Sequence, residues 1–113
     1  MEVPQDSDVQ YSRLQQQLLH DQLAEHHARA EAASHIIGQR KASIDVTLEN
    51  IRRLESTVPM EKERAFAFKR LMERDAVTKL DYLQAEAQYI DKVQELAGQI
   101  QKLRQYQAAL AEA

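Results

Sequence analysis

The chain is predicted to be all-α, a long antiparallel helical hairpin packed as a coiled coil. Three observations predict it. The first is composition: 113 residues with two glycines, two prolines, no cysteine and no tryptophan, rich in Ala, Gln, Glu, Leu, Arg and Lys. The second is spacing, because apolar residues recur at steps of three, four and seven over most of the length. The third is one punctuating segment, Ala76 to Asp81, where one helix must stop and another must start.

The ascending arm begins with a frayed stretch over residues 1–7. Ser7 with Gln10 can form a capping box there, and Asp6 and Asp8 suit a helix N-terminus. A first helix is expected over 8–56, with Tyr11, Leu14, Leu18, Leu19, Leu23, Ala30, Ala33, Ile37, Ile44, Leu48, Ile51 and Leu54 as its apolar stripe. Gly38 interrupts this run, but a lone glycine costs about 1 kcal/mol relative to alanine and need not end a helix. Pro59 predicts a break. It has no N–H for the Glu55 carbonyl, and its ring disfavours helical geometry at Val58. A second ascending helix then covers 59–73, with Ala65, Phe66, Phe68, Leu71 and Met72. The two phenylalanines point about 200° apart on a helix, so one can enter a seam while the other faces out.

The tip turn is expected near residues 74–78. Thr78 and Asp81 have the spacing of a capping box, and Val77 and Tyr82 that of a hydrophobic staple. The descending helix covers 79–112. Its seam is read as Leu80, Leu83, Ala87 and Ile90, shortened by one step through Val93 and Leu96, then Ile100, Leu103, Gln107 and Leu110. Such an offset is a stammer, which overwinds a coiled coil locally.

The arms are unequal. At 1.5 Å per residue, 8–73 would rise about 100 Å and 79–112 about 50 Å. The first ~30 residues therefore carry an apolar stripe with no intrachain partner, and such a stripe is not left in water. The expectation is a fragment of a longer protein, with self-association when isolated.

The net charge of −3 mixes both signs and makes no basic face, which argues against nucleic acid as a partner. No apolar run is long enough to span a bilayer, and the acidic start does not resemble a signal peptide. His27, Glu31 and His35 lie on one helix face, but histidines two turns apart cannot share one ion well, so no metal site is expected. No serine has a base at triad spacing, no glycine-rich loop exists, and thin helices enclose no pocket. Neither catalysis nor a cofactor is expected. Arg64, Arg70, Arg74 and Lys79 stand near the tip among Glu61, Glu63, Glu73, Asp75 and Asp81, a mixed-charge rim suited to polar docking.

The stretch FKRLMERDAVTKLDYLQAE, Phe68 to Glu86, resembles the α-hairpin tip of periplasmic adaptors, or membrane fusion proteins. It is most similar to the hemolysin D (HlyD) family of type I secretion systems. The adjoining AQYIDKVQEL, Ala87 to Leu96, looks like the start of that family's descending helix. Such adaptors carry a tip pattern of an arginine, a leucine four residues on, and a serine or threonine seven after that. Leu71 and Thr78 match, whereas the arginine position holds Ala67, with Arg64 and Arg70 one turn to either side.

The resemblance implies a periplasmic segment of a protein anchored in the bacterial inner membrane. It would link an ABC exporter to a TolC-like outer-membrane tunnel for export of a toxin or protease. The oligomer would be a hexamer, and the lipoyl, β-barrel and anchor regions would lie outside this chain. Leu71, Arg74, Asp75, Val77 and Thr78 would dock, with Arg64 or Arg70 in support. Two other readings stay open: a drug-efflux adaptor hairpin, and a free-standing cytoplasmic coiled-coil scaffold.

Overall fold

The computed structural model describes residues 5–113, with side chains from Ser7 onward. Two α-helices make up the fold among these residues: α1, Gln5–Glu73, and α2, Lys79–Ala111. The chain is the expected all-α hairpin. Residues 1–4 of the expected frayed start lie outside the described residues. Since α1 is already helical at Gln5, Ser7 sits within its first turn and is not the cap.

Pro59 does not break the helix. α1 passes through it without interruption, so the expected separate helices 8–56 and 59–73 are one. The reason is orientation. Pro59 and Glu55 are both exposed, so the carbonyl left without a donor is on the solvent side. Leu54, only 2% exposed, and Ala65, at 3%, hold the opposite side on either flank. In the turn before the proline, the Ser56 and Thr57 hydroxyls donate to the carbonyls of Arg52 and Arg53 at 3.3 and 2.8 Å. Such back-bonding accommodates the slight bend that proline requires.

The chain divides into two compact units, Met1–Gly38 and Gln39–Ala113. In the first, every side chain from Ser7 to Ile36 is exposed. Tyr11, Leu14, Leu18, Leu19 and Leu23 range from 58% to 67% exposed, so the apolar stripe read from the sequence is present and uncovered.

The second unit is the paired hairpin. The inward positions of α1 are Arg40, Ile44, Thr47, Ile51, Leu54, Val58, Glu61, Ala65, Phe68 and Met72, each buried or half-buried. Those of α2 are Tyr82, Ala85, Tyr89, Lys92, Leu96, Gln99, Leu103, Tyr106 and Leu110. Both series alternate steps of three and four without a fault, which is an unbroken heptad repeat. No stammer is needed. Cross-helix hydrogen bonds fix the antiparallel register: Arg40 Nη1 donates to the Ala109 carbonyl at 2.6 Å, Asn50 Nδ2 to Gln99 Oε1 at 3.4 Å, and Arg64 Nη1 to Gln88 Oε1 at 2.6 Å.

This register corrects the descending seam. Leu80, Leu83, Ala87 and Ile90 face outward, with Leu80 64% and Leu83 47% exposed. The face carrying Tyr82, Ala85 and Tyr89 is the one that continues in heptads to Leu110, and it alone can follow the α1 seam over its whole length. Ala65 stands level with Ala85, and both are nearly fully buried, which lets the two helices approach closely there.

Polar residues interrupt the seam. The Thr47 hydroxyl is satisfied by the Ser43 carbonyl at 2.8 Å. Glu61 Oε2 is buried and reaches only Arg64 Nη1, at 3.8 Å. Arg64 also lies 5.6 Å over the Phe68 ring. Polar groups at such positions lower stability but penalise alternative registers, in which they would meet apolar partners.

Pro59→Ala restores one helical hydrogen bond on the exposed side. It should raise stability by about 1–3 kcal/mol, read as a higher urea midpoint with unchanged helicity. A fall in the midpoint would mean that the proline itself shapes the hairpin.

Candidate docking tip

Two local locks set end to end make the tip. The first ends α1. Asp75 N donates to the Met72 carbonyl at 2.9 Å and Ala76 N to the Leu71 carbonyl at 2.8 Å, while Asp75 takes φ 58°. That pair of bonds with a left-handed residue between them is a Schellman motif. Glycine is the usual occupant because it has no Cβ to clash, but Asp tolerates the conformation better than most residues. The second lock starts α2. Thr78 is extended at φ −78°, ψ 159°; Asp81 N donates to Thr78 Oγ1 at 3.1 Å, and Thr78 N donates to Asp81 Oδ2 at 3.3 Å. The capping box expected from the sequence is therefore formed. Val77 and Tyr82, the expected staple pair, are both half-buried.

Only Ala76 and Val77 separate the left-handed residue from the cap. So short a link, bonded on both sides, leaves the backbone little freedom and holds the surrounding side chains at fixed positions. Leu71, Arg74, Asp75 and Thr78 are exposed there, with Leu71 at 39%. Ala67, Arg70, Leu71 and Arg74 line one shallow cleft of about 200 Å³.

The candidate arginines differ. Arg64 is held by Gln88, Glu61 and the Phe68 ring, on the flank of the hairpin. Arg70 and Arg74 sit beside Ala67 and Leu71. Phe68 turns into the seam and Phe66 faces out, 52% exposed, as the 200° offset requires.

Sequence reasoning missed two surfaces near the tip. One is the outward stripe on α2 described above. The other is a groove of about 720 Å³ on the outer face of α1, lined by Met60, Glu63, Arg64, Phe66, Ala67 and Arg70. A strict heptad count along α1 from Leu54 leaves Met60 and Phe66 off the seam and would have flagged the second; the α2 stripe needed the pairing to show which face turns in. Among the described residues, no group of three or more metal-ligating side chains comes together. His27 Nε2 pairs with Glu31 Oε1 at 3.2 Å on an exposed helix face.

The two locks differ in how well their residues suit them. Thr78→Ala removes a cap bond and should cost about 1 kcal/mol. Asp75→Gly relieves the left-handed strain and takes a negative charge from the C-terminal end of α1, so it should add about 1 kcal/mol. Chemical denaturation of the two variants beside the parent chain checks both signs. Equal stability of all three would mean that the tip geometry carries no energetic weight.

No protein-family model, no curated protein and no solved structure matches the chain.

Proposed function

We propose that this chain is a non-enzymatic docking element: the periplasmic α-hairpin of a type I secretion adaptor of the hemolysin D kind. Its tip would meet the periplasmic end of a TolC-like outer-membrane tunnel. The observation that carries this reading is the tip itself. A rigid turn presents Leu71 and Thr78, the two matching positions of the adaptor pattern, with Arg70 and Arg74 beside them. Asp75 adds support. A left-handed aspartate at a helix C-terminus is worse for folding than glycine, so its presence at an exposed tip fits a residue kept for contact.

The mechanism is mechanical. Two paired helices hold the tip at a fixed distance from the rest of the protein. The tip offers one apolar side chain, a hydroxyl and two cations to a partner surface. Contacts of this kind gain specificity from charge placement and affinity from the apolar anchor. The inner-membrane ABC exporter would be engaged by other regions of the same adaptor.

Immobilised TolC-type tunnel protein should capture the full chain, and Leu71→Ala with Thr78→Ala should weaken capture at least about tenfold, the loss of one apolar anchor and one polar contact. Helicity measured alongside separates docking from folding. Capture that is absent for the parent chain, or undiminished in the folded double variant, would falsify the tip assignment.

A further inference from the structure

One notch on the flank of the hairpin gathers polar groups that the fold itself does not use. It lies beside the layer where Ala65 meets Ala85, two side chains too small to fill the space between their larger neighbours. Its volume is about 260 Å³. Tyr82 and Tyr89 bound it on α2, Lys62 and Lys69 on α1, and Phe66 and Glu86 line its middle. Among the described residues, neither lysine, neither tyrosine hydroxyl nor the Glu86 carboxylate has a hydrogen-bond or ion-pair partner. Arg64, by contrast, is engaged by Gln88, Glu61 and the Phe68 ring. We infer that the notch binds a small zwitterion of the phosphocholine type, a quaternary ammonium in the middle and its anion at one of the lysines.

The layout follows from the register. With Ala65 level with Ala85, Tyr82 stands at the height of Phe68 and Tyr89 at that of Glu61. Lys69 is therefore beside Tyr82 and Lys62 beside Tyr89, while Phe66 and Glu86 lie within one residue of the alanine layer. The tyrosines, like the lysines, are one heptad apart, about 10 Å along the axis. A group seated midway is thus about 5 Å along the axis from either tyrosine, with Phe66 at its own height. A cation within about 6 Å of aromatic ring centroids is attracted by the ring faces. Glu86 adds a carboxylate at that same height.

Charge decides the rest of the ligand. A bare cation is opposed by the two lysines, and a bare anion by Glu86. A molecule carrying both signs answers every group at once. Its cation lies among three rings and Glu86, and its anion accepts from Lys62 or Lys69 and from the neighbouring tyrosine hydroxyl. The short link between the two charges of phosphocholine suits a lysine set about 5 Å along the axis from the middle of the notch. A quaternary ammonium fits better than a primary one. It has no N–H to satisfy, and the middle of the notch offers Glu86 as the only side-chain acceptor among Phe66 and Ala65.

Calorimetric titration of the full chain with phosphocholine, choline and inorganic phosphate tests the site. Phosphocholine should bind at least about fivefold more tightly than either half alone. Phe66 and both lysines are exposed and off the seam, so Phe66→Ala and the double variant Lys62→Gln, Lys69→Gln should keep the parent helicity. Each should weaken phosphocholine at least about threefold. The lysine variant should at the same time tighten bare choline, because two like charges are gone, whereas a general loss of structure would weaken both. Vesicles separate the sources of the headgroup. Co-sedimentation with phosphatidylcholine but not phosphatidylglycerol, lost in Phe66→Ala, assigns the notch to a lipid; capture of free phosphocholine alone assigns it to a soluble molecule, and both support the inference. Absence of phosphocholine binding, tighter binding of benzoate, or undiminished binding in either folded variant overturns it. The notch is on the flank and the inference does not rest on tip docking; tunnel capture is scored separately, so either can fail alone.

Discussion

Burial of a single heptad seam between two antiparallel helices is the constraint on which the rest of the hairpin depends. Among the described residues, Leu54, Ile51, Ala65 and Ala85 are the buried apolar ones and Thr47 the buried polar one; the rest of the seam is half covered. Two helices cannot enclose a core; they can only zip along a line. Stability is therefore distributed, each layer adding a little, and it requires the same register from end to end. A slip by one heptad would move Ala65 off Ala85 and break the cross-links at 40, 50 and 64 together.

The polar residues in the seam follow from that requirement. Arg40, Glu61, Lys92 and Gln99 occupy positions where leucine would contribute more burial. A seam of leucines alone would tolerate several registers. The Asn50–Gln99 and Arg64–Gln88 bonds are made in one only. The tip adds a boundary condition: the Schellman turn and the capping box share so few residues that α2 must leave at a set height and rotation. Fixing the start of α2 decides which of its faces turns inward.

That decision marks where sequence reasoning reached its limit. The tip was legible because a capping box is a local object: Thr78 and Asp81 signal it by identity and spacing alone. The all-α hairpin was legible from composition and period. The inward face of α2 was not, because the helix has two candidate stripes and aliphatic Leu80, Leu83 and Ile90 outweigh Tyr82, Ala85 and Tyr89 on hydrophobicity. Continuity of register, a property of the pair and not of either strip, chose the tyrosines. Pro59 misled for a related reason. The rule that proline breaks a helix assumes a cost that must be met locally, whereas here the freed carbonyl lies on the solvent side and the buried side is held by the partner helix. For the proposed docking residues, the sequence pattern marked Leu71 and Thr78. The different surroundings of Arg64 and Arg70 emerged only once side-chain partners were visible.

The tight tip also governs how the hairpin is made. Closing the few residues between Leu71 and Asp81 costs little chain entropy, and each further layer closes a loop only slightly longer than the last. Assembly therefore runs outward from the turn, layer by layer, and opening begins at the far end, around Arg40 and Ala109. Low contact order near the turn makes such zipping fast. Backbone amides should exchange with solvent along a gradient, slowest around Ala65 and Ala85 and fastest at the open end, so the tip region would be the first part made and the last to be lost.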